Sequence, residues 1–290
     1  MAGSDQNQKH GLGIIAGDGK MPFTVADAAI AAGRPVHVFG IRGSADSRIE
    51  SYPHSWISFG TVGHLLRITK QKDCRELVIV GGVKRPKWWT VRFDWGGVAS
   101  LPSLLGWSFG GDNSVLSSIV TFFENKGLKV LGAHEVAPEL VAGKGVFGKH
   151  KPNAEDCDDI ATGLKVIAAL GALDVGQAAV VARKYVLAVE AAEGTDRMLE
   201  RCKDLKQWGR RWLKKRSGVL VKCPKPGQER RIDMPTVGPE TVRRAAEADL
   251  RGIAIAADNV LIADREEFIA AADAAGLFIV GVEVPAEPDA

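Results

Sequence analysis

One acidic side chain, Asp233, lies in a stretch of the chain that is otherwise rich in cations. It is surrounded in the sequence by four basic residues, Lys222, Lys225, Arg230 and Arg231. A carboxylate among cations can be a surface salt bridge, which contributes little to stability. It can equally hold a Mg²⁺ ion or orient a water molecule beside a pyrophosphate whose charge the cations neutralise. The residues alone leave both interpretations open.

A second polar stretch, residues 190–196, carries carboxylates and a hydroxyl where a predicted strand ends and a helix begins. Helix capping accounts for Thr195 and Asp196. It does not account for Glu190, because alternation along the strand places this side chain on a face that it shares with alanines. A carboxylate in such a place is costly unless it is paired. We therefore expect a partner for Glu190 elsewhere in the chain.

Three further candidates follow the first predicted strand. Gly17, Asp18 and Gly19 precede a helix, where glycines let a phosphate approach the backbone and the helix N-terminus attracts anions. The same residues can form a mere tight turn. The third glycine of the dinucleotide fingerprint is replaced by Pro22, and residues 40–42 offer no ribose-binding acid. A nicotinamide-dependent dehydrogenase is thereby disfavoured.

Two more loops follow predicted strands of the first half. Lys84 and Arg85 come after a strand that ends at Gly81-Gly82, at the edge of an open α/β sheet where ligands usually bind. Asp112 leads into a helix, and its type and place also suit a loop or capping residue. Surface lysines are common, so a solvated role for Lys84 stays open as well.

The elements that must position these residues alternate between strands and helices. In the first half we predict strands at Leu12 to Ala16, Val36 to Phe39, Leu77 to Val80 and Leu128 to Leu131. One predicted helix ends at Ala32, and two more run from Leu66 to Cys74 and from Val115 to Asn125. Buried strands that alternate with helices predict a parallel sheet covered on both faces.

The second half repeats the alternation with new elements. We predict strands at Ala179 to Val189, Gly218 to Val221, Gly252 to Ile255 and Leu277 to Val284. Helices are predicted at Ile160 to Leu170, Thr195 to Leu205, Pro239 to Ala248 and Arg265 to Ala275. The predicted fold class is therefore α/β. A Rossmann-like parallel-sheet domain at residues 11–137 precedes a linker region at 138–159 and a second α/β domain at 160–290.

Composition narrows the class of protein. The 290 residues are 46% apolar and 25% charged, which is typical of a globular enzyme and excludes a disordered chain. A net charge of +3 gives no support to a nucleic-acid partner. The four cysteines form no Cys-x-x-Cys pair, so we expect neither a zinc site nor a disulfide framework. No apolar run is long enough to span a bilayer, and no signal peptide is recognisable.

A basic tract from Lys206 to Arg216 contains six cations together with Trp208 and Trp212. Cations combined with tryptophans suit a membrane interface, although a solvated loop explains them too. Four more tryptophans, Trp88, Trp89, Trp95 and Trp107, fall in one short region. Core packing can account for some of them, and contact with acyl chains or with a membrane is the alternative.

Six segments taken together carry a family resemblance: Leu12 to Gly17, Gly33 to Val36, Gly82 to Pro86, Asp174 to Gln177, Glu190 to Asp196 and Asp233 to Gly238. In this order they resemble the LpxI-type UDP-2,3-diacylglucosamine diphosphatases of Gram-negative bacteria. The resemblance covers about residues 11 to 284. The second-half motifs are specific, and no single segment would suffice.

The resemblance implies hydrolysis of UDP-2,3-diacylglucosamine to UMP and 2,3-diacylglucosamine 1-phosphate in lipid A biosynthesis. It also implies a divalent cation such as Mg²⁺ and a two-domain fold, in which the second domain, at 160–290, is catalytic and binds the lipid sugar. Its essential aspartate corresponds to Asp233, and Glu193 is our second candidate for catalysis and for holding the metal. The chain departs from the family at Asn113, where a second acidic residue commonly follows Asp112.

The predicted site therefore combines two catalytic and metal-binding carboxylates, Asp233 and Glu193, with a larger substrate-binding set. That set is Gly17, Asp18, Gly19, Lys84, Arg85, Asp112, Gln177, Thr195, Asp196, Lys222, Lys225, Gln228, Arg231 and Thr236. The expected partners are the lipid-linked nucleotide sugar and, transiently, the cytoplasmic face of the inner membrane. A homodimer is left open. Two alternatives to hydrolysis remain, a nucleotide-sugar oxidoreductase and a noncatalytic lipid-sugar binding protein.

Overall fold

The computed structural model of the protein describes residues 10–83, 94, 112–207 and 216–284. Its chain divides into two compact units. Unit 1 comprises Met1–Pro138 and Glu229–Asp233, and unit 2 comprises Glu139–Gln228 and Met234–Ala290. Two α/β units were predicted from the alternation of apolar runs and helical patterns, and that fold class is confirmed.

In its described residues, unit 1 is built on a five-stranded parallel sheet in the order β3-β2-β1-β4-β5. The strands are β1 (Gly11–Ala16), β2 (Val36–Ile41), β3 (His54–Ile57), β4 (Cys74–Val80) and β5 (Lys129–Leu131). The helices are α1 (Met21–Ala31), α2 (Val62–Gln71), α3 (Asp112–Asn125) and α4 (Ala133–Val136). Every residue of β1 and β2 is buried, as expected for parallel strands with both faces covered.

The loops after β1 and β4 are joined to each other through their backbones. The Asp18 N–H donates to the Gly82 carbonyl oxygen at 2.6 Å, and the Gly82 N–H donates to the Asp18 oxygen at 3.0 Å. Only glycine fits at position 17, because an added Cβ would lie 2.4 Å from the Gly82 oxygen. The carboxyl edge of the parallel sheet is therefore closed here by direct backbone contact.

In its described residues, unit 2 contains a six-stranded mixed sheet in the order β6-β13-β11-β9-β7-β8 and a small parallel pair, β10-β12. The strands are β6 (Gly145–Phe147), β7 (Ala178–Ala182), β8 (Tyr185–Val189), β9 (Val219–Lys222), β10 (Thr236–Val237), β11 (Gly252–Ala256), β12 (Leu261–Ile262) and β13 (Phe278–Val282). The helices are α5 (Ala154–Gly171), α6 (Gly194–Gln207), α7 (Pro239–Glu247) and α8 (Arg265–Ala275).

The single strand predicted from Ala179 to Val189 is instead an antiparallel hairpin of β7 and β8. The turn lies at Arg183 and Lys184, whose φ angles are 52° and 62°. The Asp159 carboxylate on α5 accepts hydrogen bonds from both backbone N–H groups, at 3.0 and 2.6 Å. A side chain distant in sequence therefore stabilises a turn that has neither glycine nor proline.

A five-residue segment of the second half, Glu229–Asp233, groups with unit 1 rather than with the rest of that half. Arg231 Nη1 donates to Glu124 Oε1 on α3 at 2.7 Å, and Ile232 packs against the apolar core of unit 1. The division thus differs from the predicted range 160–290. Residues 139–159, predicted as a linker region, lie in unit 2 and include β6 and the start of α5.

Candidate active site

Three buried polar side chains in unit 2 form a connected group, which we call the Glu190 cluster: Glu190, Thr195 and Lys222. Thr195 Oγ1 donates to Glu190 Oε2 at 3.1 Å, and Lys222 Nζ donates to Thr195 Oγ1 at 2.9 Å. Lys222 Nζ also donates to the Thr236 carbonyl oxygen at 2.9 Å. The partner that we expected for Glu190 is thus the Thr195 hydroxyl, which in turn accepts a hydrogen bond from the buried Lys222 ammonium group.

Sheet register brings the cluster together. β7 lies between β8 and β9, and Ala178 at the start of β7 is opposite Lys222, the last residue of β9. The Glu190 N–H donates to the Ala178 carbonyl oxygen at 2.9 Å, so Glu190 follows β8 at the same edge. Gly176 has a φ of 59° and approaches the Glu190 carbonyl so closely that a Cβ would lie 2.0 Å from its oxygen. Only glycine allows this contact.

Burial and the neighbours act in opposite directions on the Glu190 carboxyl group. Loss of hydration raises the pKa of Glu190, because burial disfavours the charged form. The charge of Lys222 and the hydrogen bonds from Thr195 and the Gln177 backbone lower it, but burial dominates and the pKa stays above its ordinary value. The cluster therefore places a weakly acidic carboxyl group and a buried cation at one sheet edge.

A second hydrogen-bonded group in unit 2 contains three more predicted residues, Gln177, Lys225 and Gln228. Gln228 Nε2 donates to Gln177 Oε1 at 3.0 Å, and the Lys225 N–H donates to Gln228 Oε1 at 2.8 Å. The Lys225 ammonium group is ion-paired with Asp174. Gln177 directly precedes β7, so this group begins at the same sheet edge as the Glu190 cluster. The structure thus brings six predicted residues into two neighbouring hydrogen-bonded groups: Gln177, Thr195, Lys222, Lys225, Gln228 and Thr236.

The predicted second carboxylate, Glu193, has a cationic partner. Arg201 Nη2 donates to Glu193 Oε1 at 2.8 Å and to the Val189 carbonyl oxygen at 2.9 Å. Asp196, on the first turn of α6, lies 3.6 Å from Arg244 Nε. Both carboxylates are therefore engaged in ion pairs of unit 2, and Glu193 would have to share its charge between Arg201 and any bound cation.

Five of the predicted residues of unit 1 lie in two places. Gly17, Asp18 and Gly19 follow β1, and the exposed Asp18 side chain accepts from the Gly19 N–H at 2.8 Å. Asp233 is half-buried at the end of the segment Glu229–Asp233, and its N–H donates to the Glu229 oxygen at 3.0 Å. Arg231 pairs with Glu229 and Glu124, so its charge is largely balanced within unit 1.

The remaining predictions concern other binding residues, the tryptophans, a metal site and a membrane span. Lys84 and Arg85 lie outside the described residues, as do the tryptophans of both tryptophan-containing tracts. Asp112 is the first residue of α3, consistent with its expected place at a helix start. Among the described residues, no group of three or more His, Cys, Asp or Glu side chains is arranged to hold a metal ion. Nor does any helix in that part of the chain have the length and apolarity required to span a membrane.

His134 is a candidate that the sequence reasoning missed. It follows β5 by three residues, at the carboxyl edge of the unit 1 sheet, and its buried Nδ1 has no hydrogen-bond partner among the described residues. Burial and the charge of Arg230 lower the pKa of His134, while Glu135 raises it. The available signal was its position just after a predicted strand, the same criterion that marked Gly17.

Two α/β units that each carry polar groups at the edge of a sheet have the architecture of a protein that binds a small ligand. Comparison with known families assigns both halves of the chain to one family. The LpxI N-terminal domain matches residues 11–140, and the LpxI C-terminal domain matches residues 143–280. A Caulobacter vibrioides protein named UDP-2,3-diacylglucosamine pyrophosphatase LpxI is 42% identical over 277 residues, covering 96% of this chain and 99% of the relative. The chain belongs to the LpxI family.

Proposed function

We propose that this protein hydrolyses the pyrophosphate bond of UDP-2,3-diacylglucosamine, giving UMP and 2,3-diacylglucosamine 1-phosphate for lipid A biosynthesis. One observation carries the proposal: the chain is 42% identical, over nearly the full length of both proteins, to a relative named for this pyrophosphatase activity. Both LpxI domains are present in the same chain. The motif resemblance of the sequence supports the same reaction.

The Glu190 cluster supports this proposal because hydrolysis of a phosphoanhydride requires positive charge near the phosphoryl oxygens. Lys222 supplies a cation at a sheet edge, and its ammonium group is held in place by Thr195 and the Thr236 carbonyl. A cation that is already fixed needs little rearrangement when the charge of the transition state develops. We assign Lys222 to binding the pyrophosphate and Thr195 to orienting the lysine.

Asp233 is the residue that we expect to act on the attacking water, directly or through a metal ion. A half-buried carboxylate at the end of a short backbone turn is held in a defined place without being sealed from solvent. Either role would be exercised mainly in the transition state. Loss of the carboxylate should then lower the rate much more than the affinity for substrate.

We further propose that catalysis requires Mg²⁺ or another divalent cation. Mg²⁺ is commonly held by one or two carboxylates together with substrate phosphates and water, so it does not need a cage made by the protein alone. Asp233 and Glu193 carry the carboxylate oxygens that Mg²⁺ prefers as ligands. Asp233 would hold the ion, with Glu193 as a weaker candidate because of its ion pair with Arg201. The bound cation would neutralise charge on the phosphoryl oxygens.

The direct test is to incubate the purified protein with UDP-2,3-diacylglucosamine and Mg²⁺ and to follow UMP. If the reaction is run in ¹⁸O-labelled water, mass spectrometry of both products shows which one has gained the label. This identifies the phosphorus that water attacks. We expect Asp233→Ala to lower the rate by more than about tenfold, which is about 1.4 kcal/mol of barrier. The exposed Asp204→Ala on α6 is the matched control and should keep the wild-type rate.

Each alternative gives its own result in this experiment. A noncatalytic binding protein would bind the lipid sugar and release it intact, with no UMP formed. An oxidoreductase would carry or require a nicotinamide cofactor. Its absorbance would be visible in the purified protein or in the small molecules extracted from it. Exhaustive treatment with EDTA tests the metal separately: activity should stop and return on addition of Mg²⁺, and full activity after chelation would remove the metal from the proposal without affecting the hydrolysis itself.

We also propose that the protein contacts the cytoplasmic leaflet reversibly through the basic tract from Lys206 to Arg216. The proposal is supported by the six cations and two tryptophans of that tract, since basic residues near an anionic leaflet contribute roughly 1 kcal/mol each. Flotation with anionic vesicles should be strong at low salt, weak at high salt, and lost when these cations are replaced by glutamine. Equal flotation of wild type and variant would refute a role of the tract.

A further inference from the structure

A small polar cavity of about 150 Å³ lies in unit 2, away from the Glu190 cluster. Its lining residues are His150, Lys151, Arg216, Arg251, Gly276 and Phe278. Two of these are guanidinium groups and one is an ammonium group, so the lining is strongly cationic. None of these residues belongs to the predicted substrate site.

The cavity and the Glu190 cluster lie at opposite edges of the same sheet. Parallel strands β9, β11 and β13 are in register at their first residues, Val219, Gly252 and Phe278. Arg216 and Arg251 precede two of these strands, whereas Lys222 ends β9. Three residue steps along β9 separate the edges by roughly 10 Å. The cavity is therefore a separate site and not an extension of the cluster.

Both arginines are fixed by the protein while keeping part of their hydrogen-bonding capacity. Arg216 Nε donates to the Leu250 carbonyl oxygen at 2.7 Å, and its Nη1 donates to the Ala275 oxygen at 2.6 Å. Arg251 holds the buried Asp156 carboxylate through Nε and Nη2, at 2.9 and 3.1 Å. Among the described residues, the hydrogen bonds of Arg216 use Nε and Nη1 and those of Arg251 use Nε and Nη2, which leaves Nη2 of Arg216 and Nη1 of Arg251 as donors for a ligand.

Lys151 adds a third unused donor group to the cavity. Its side chain is exposed and forms no hydrogen bond or ion pair with any described residue. Among the described residues, Arg251 is ion-paired with Asp156 and also feels the charge of Glu155, whereas Lys151 and Arg216 have no carboxylate partner. Lys151 and Arg216 therefore leave the cavity with a net positive charge. Two prepositioned guanidinium groups and an ammonium group suit an anion with several oxygens.

We propose that this cavity binds a phosphate group. A phosphate offers more acceptor oxygens than a carboxylate and can accept from both guanidinium groups and from the ammonium group at once. The volume is sufficient for one phosphate and too small for a nucleotide. Arg216 is also the last residue of the basic tract that we expect to touch the membrane, which makes the phosphate of an anionic lipid headgroup the favoured source. Free phosphate is the other source of the same chemistry.

The first experiment measures binding of inorganic phosphate to the full-length protein. The melting temperature is followed as phosphate replaces chloride at constant ionic strength, for wild type, Lys151→Gln and Lys149→Gln. Lys149 is a neighbouring exposed lysine outside the lining, so its variant has the same net charge as the test variant. We expect Lys151→Gln to raise the apparent Kd for phosphate about tenfold, and Lys149→Gln to leave it unchanged. Equal changes in both variants, or no stabilisation of wild type by phosphate beyond chloride, would overturn the proposal.

The second experiment separates the two sources. Flotation is compared on vesicles of phosphatidylglycerol and of phosphatidylcholine, with the same three proteins. Weaker flotation of Lys151→Gln than of Lys149→Gln on phosphatidylglycerol identifies a lipid phosphate. Equal flotation of the two variants, with inorganic phosphate still bound more weakly by Lys151→Gln, identifies free phosphate. The proposal is independent of the pyrophosphatase activity, since Lys151→Gln should turn over UDP-2,3-diacylglucosamine at the wild-type rate in detergent.

Discussion

In unit 1 the loops at the carboxyl edge of the sheet are joined through backbone groups, whereas unit 2 carries buried charged side chains at the edge where β9 ends. Asp18 and Gly82 exchange two backbone hydrogen bonds, and the Asp18 side chain is exposed. Glu190 and Lys222 are only 7% and 6% exposed and are connected through Thr195. The first edge depends on glycine and close backbone approach, and the second on paired burial of charge.

This difference predicts how each edge fails. A backbone-built edge should tolerate loss of a side chain and be damaged by an added Cβ. An edge built on buried charges should be damaged when one partner is removed, because the other is then left without compensation. Four substitutions test this contrast, beginning with the one that should have the largest effect.

Lys222→Met should destabilise the protein by about 3 kcal/mol, since it leaves Glu190 and the Thr236 carbonyl without the buried ammonium group. Urea unfolding gives the measurement. Lys165→Met on α5 is the control, because that lysine is exposed and should change stability by less than about 0.5 kcal/mol. The double variant Glu190→Gln/Lys222→Met should recover part of the loss. Equal losses for Lys222→Met and Lys165→Met would mean that the charge pairing contributes nothing.

The Glu190 cluster also shows what the sequence could and could not predict. Glu190 was recognisable as a carboxylate out of place among alanines, and Lys222 as one cation of a basic stretch. Their connection was not recognisable, because it depends on β7 pairing with both β8 and β9. That pairing in turn requires the turn at Arg183 and Lys184, which Asp159 stabilises from α5. Long-range register is not encoded in local periodicity.

The fold of unit 1 was more accessible to prediction because its strands are continuous apolar runs. β1, β2, β4 and β5 all overlap predicted strands. β3 escaped because its first three residues, His54, Ser55 and Trp56, are only partly buried and are not a continuous apolar run. The grouping of Glu229–Asp233 with unit 1 was also not predicted, because nothing in the local sequence of that segment shows that Arg231 pairs with Glu124.

Gly17→Ala should have the next largest effect, a loss of about 2 kcal/mol of stability. The new Cβ would lie 2.4 Å from the Gly82 oxygen and 2.7 Å from the Gly81 backbone, and neither backbone can move without breaking the Asp18–Gly82 pair. Gly82→Ala is the control in the same pair of loops, because its nearest neighbour, the Asp18 Cβ, would be at 3.7 Å. If both variants unfold at the same urea concentration, close backbone approach is not what fixes this edge.

Glu190→Gln tests the electrostatics of unit 2 through pH. Burial raises the pKa of Glu190 above 4.5, so the folded state holds this proton more tightly than the unfolded state. The stability that this group contributes is therefore present below about pH 4.5 and is lost as the pH rises through the folded pKa. Wild type should lose stability relative to Glu190→Gln as the pH rises above 4.5, measured by urea unfolding at a series of pH values. A difference that stays constant or changes in the opposite direction would contradict a raised pKa.

Asp18→Ala should have the smallest effect, although we predicted Asp18 to bind substrate. The side chain is exposed, and its one described hydrogen bond is to the neighbouring Gly19 N–H at 2.8 Å. Removing such a bond should cost less than about 1 kcal/mol, because water replaces the carboxylate. If phosphate approaches this edge through backbone N–H groups, the KM for UDP-2,3-diacylglucosamine should change by less than about threefold, since no attractive side chain is lost. Asp18→Asn, which keeps the acceptor and removes the charge, separates capping from charge. A much larger change in KM for both variants would place the carboxylate itself in contact with the substrate, and unit 1 would then also depend on side chains.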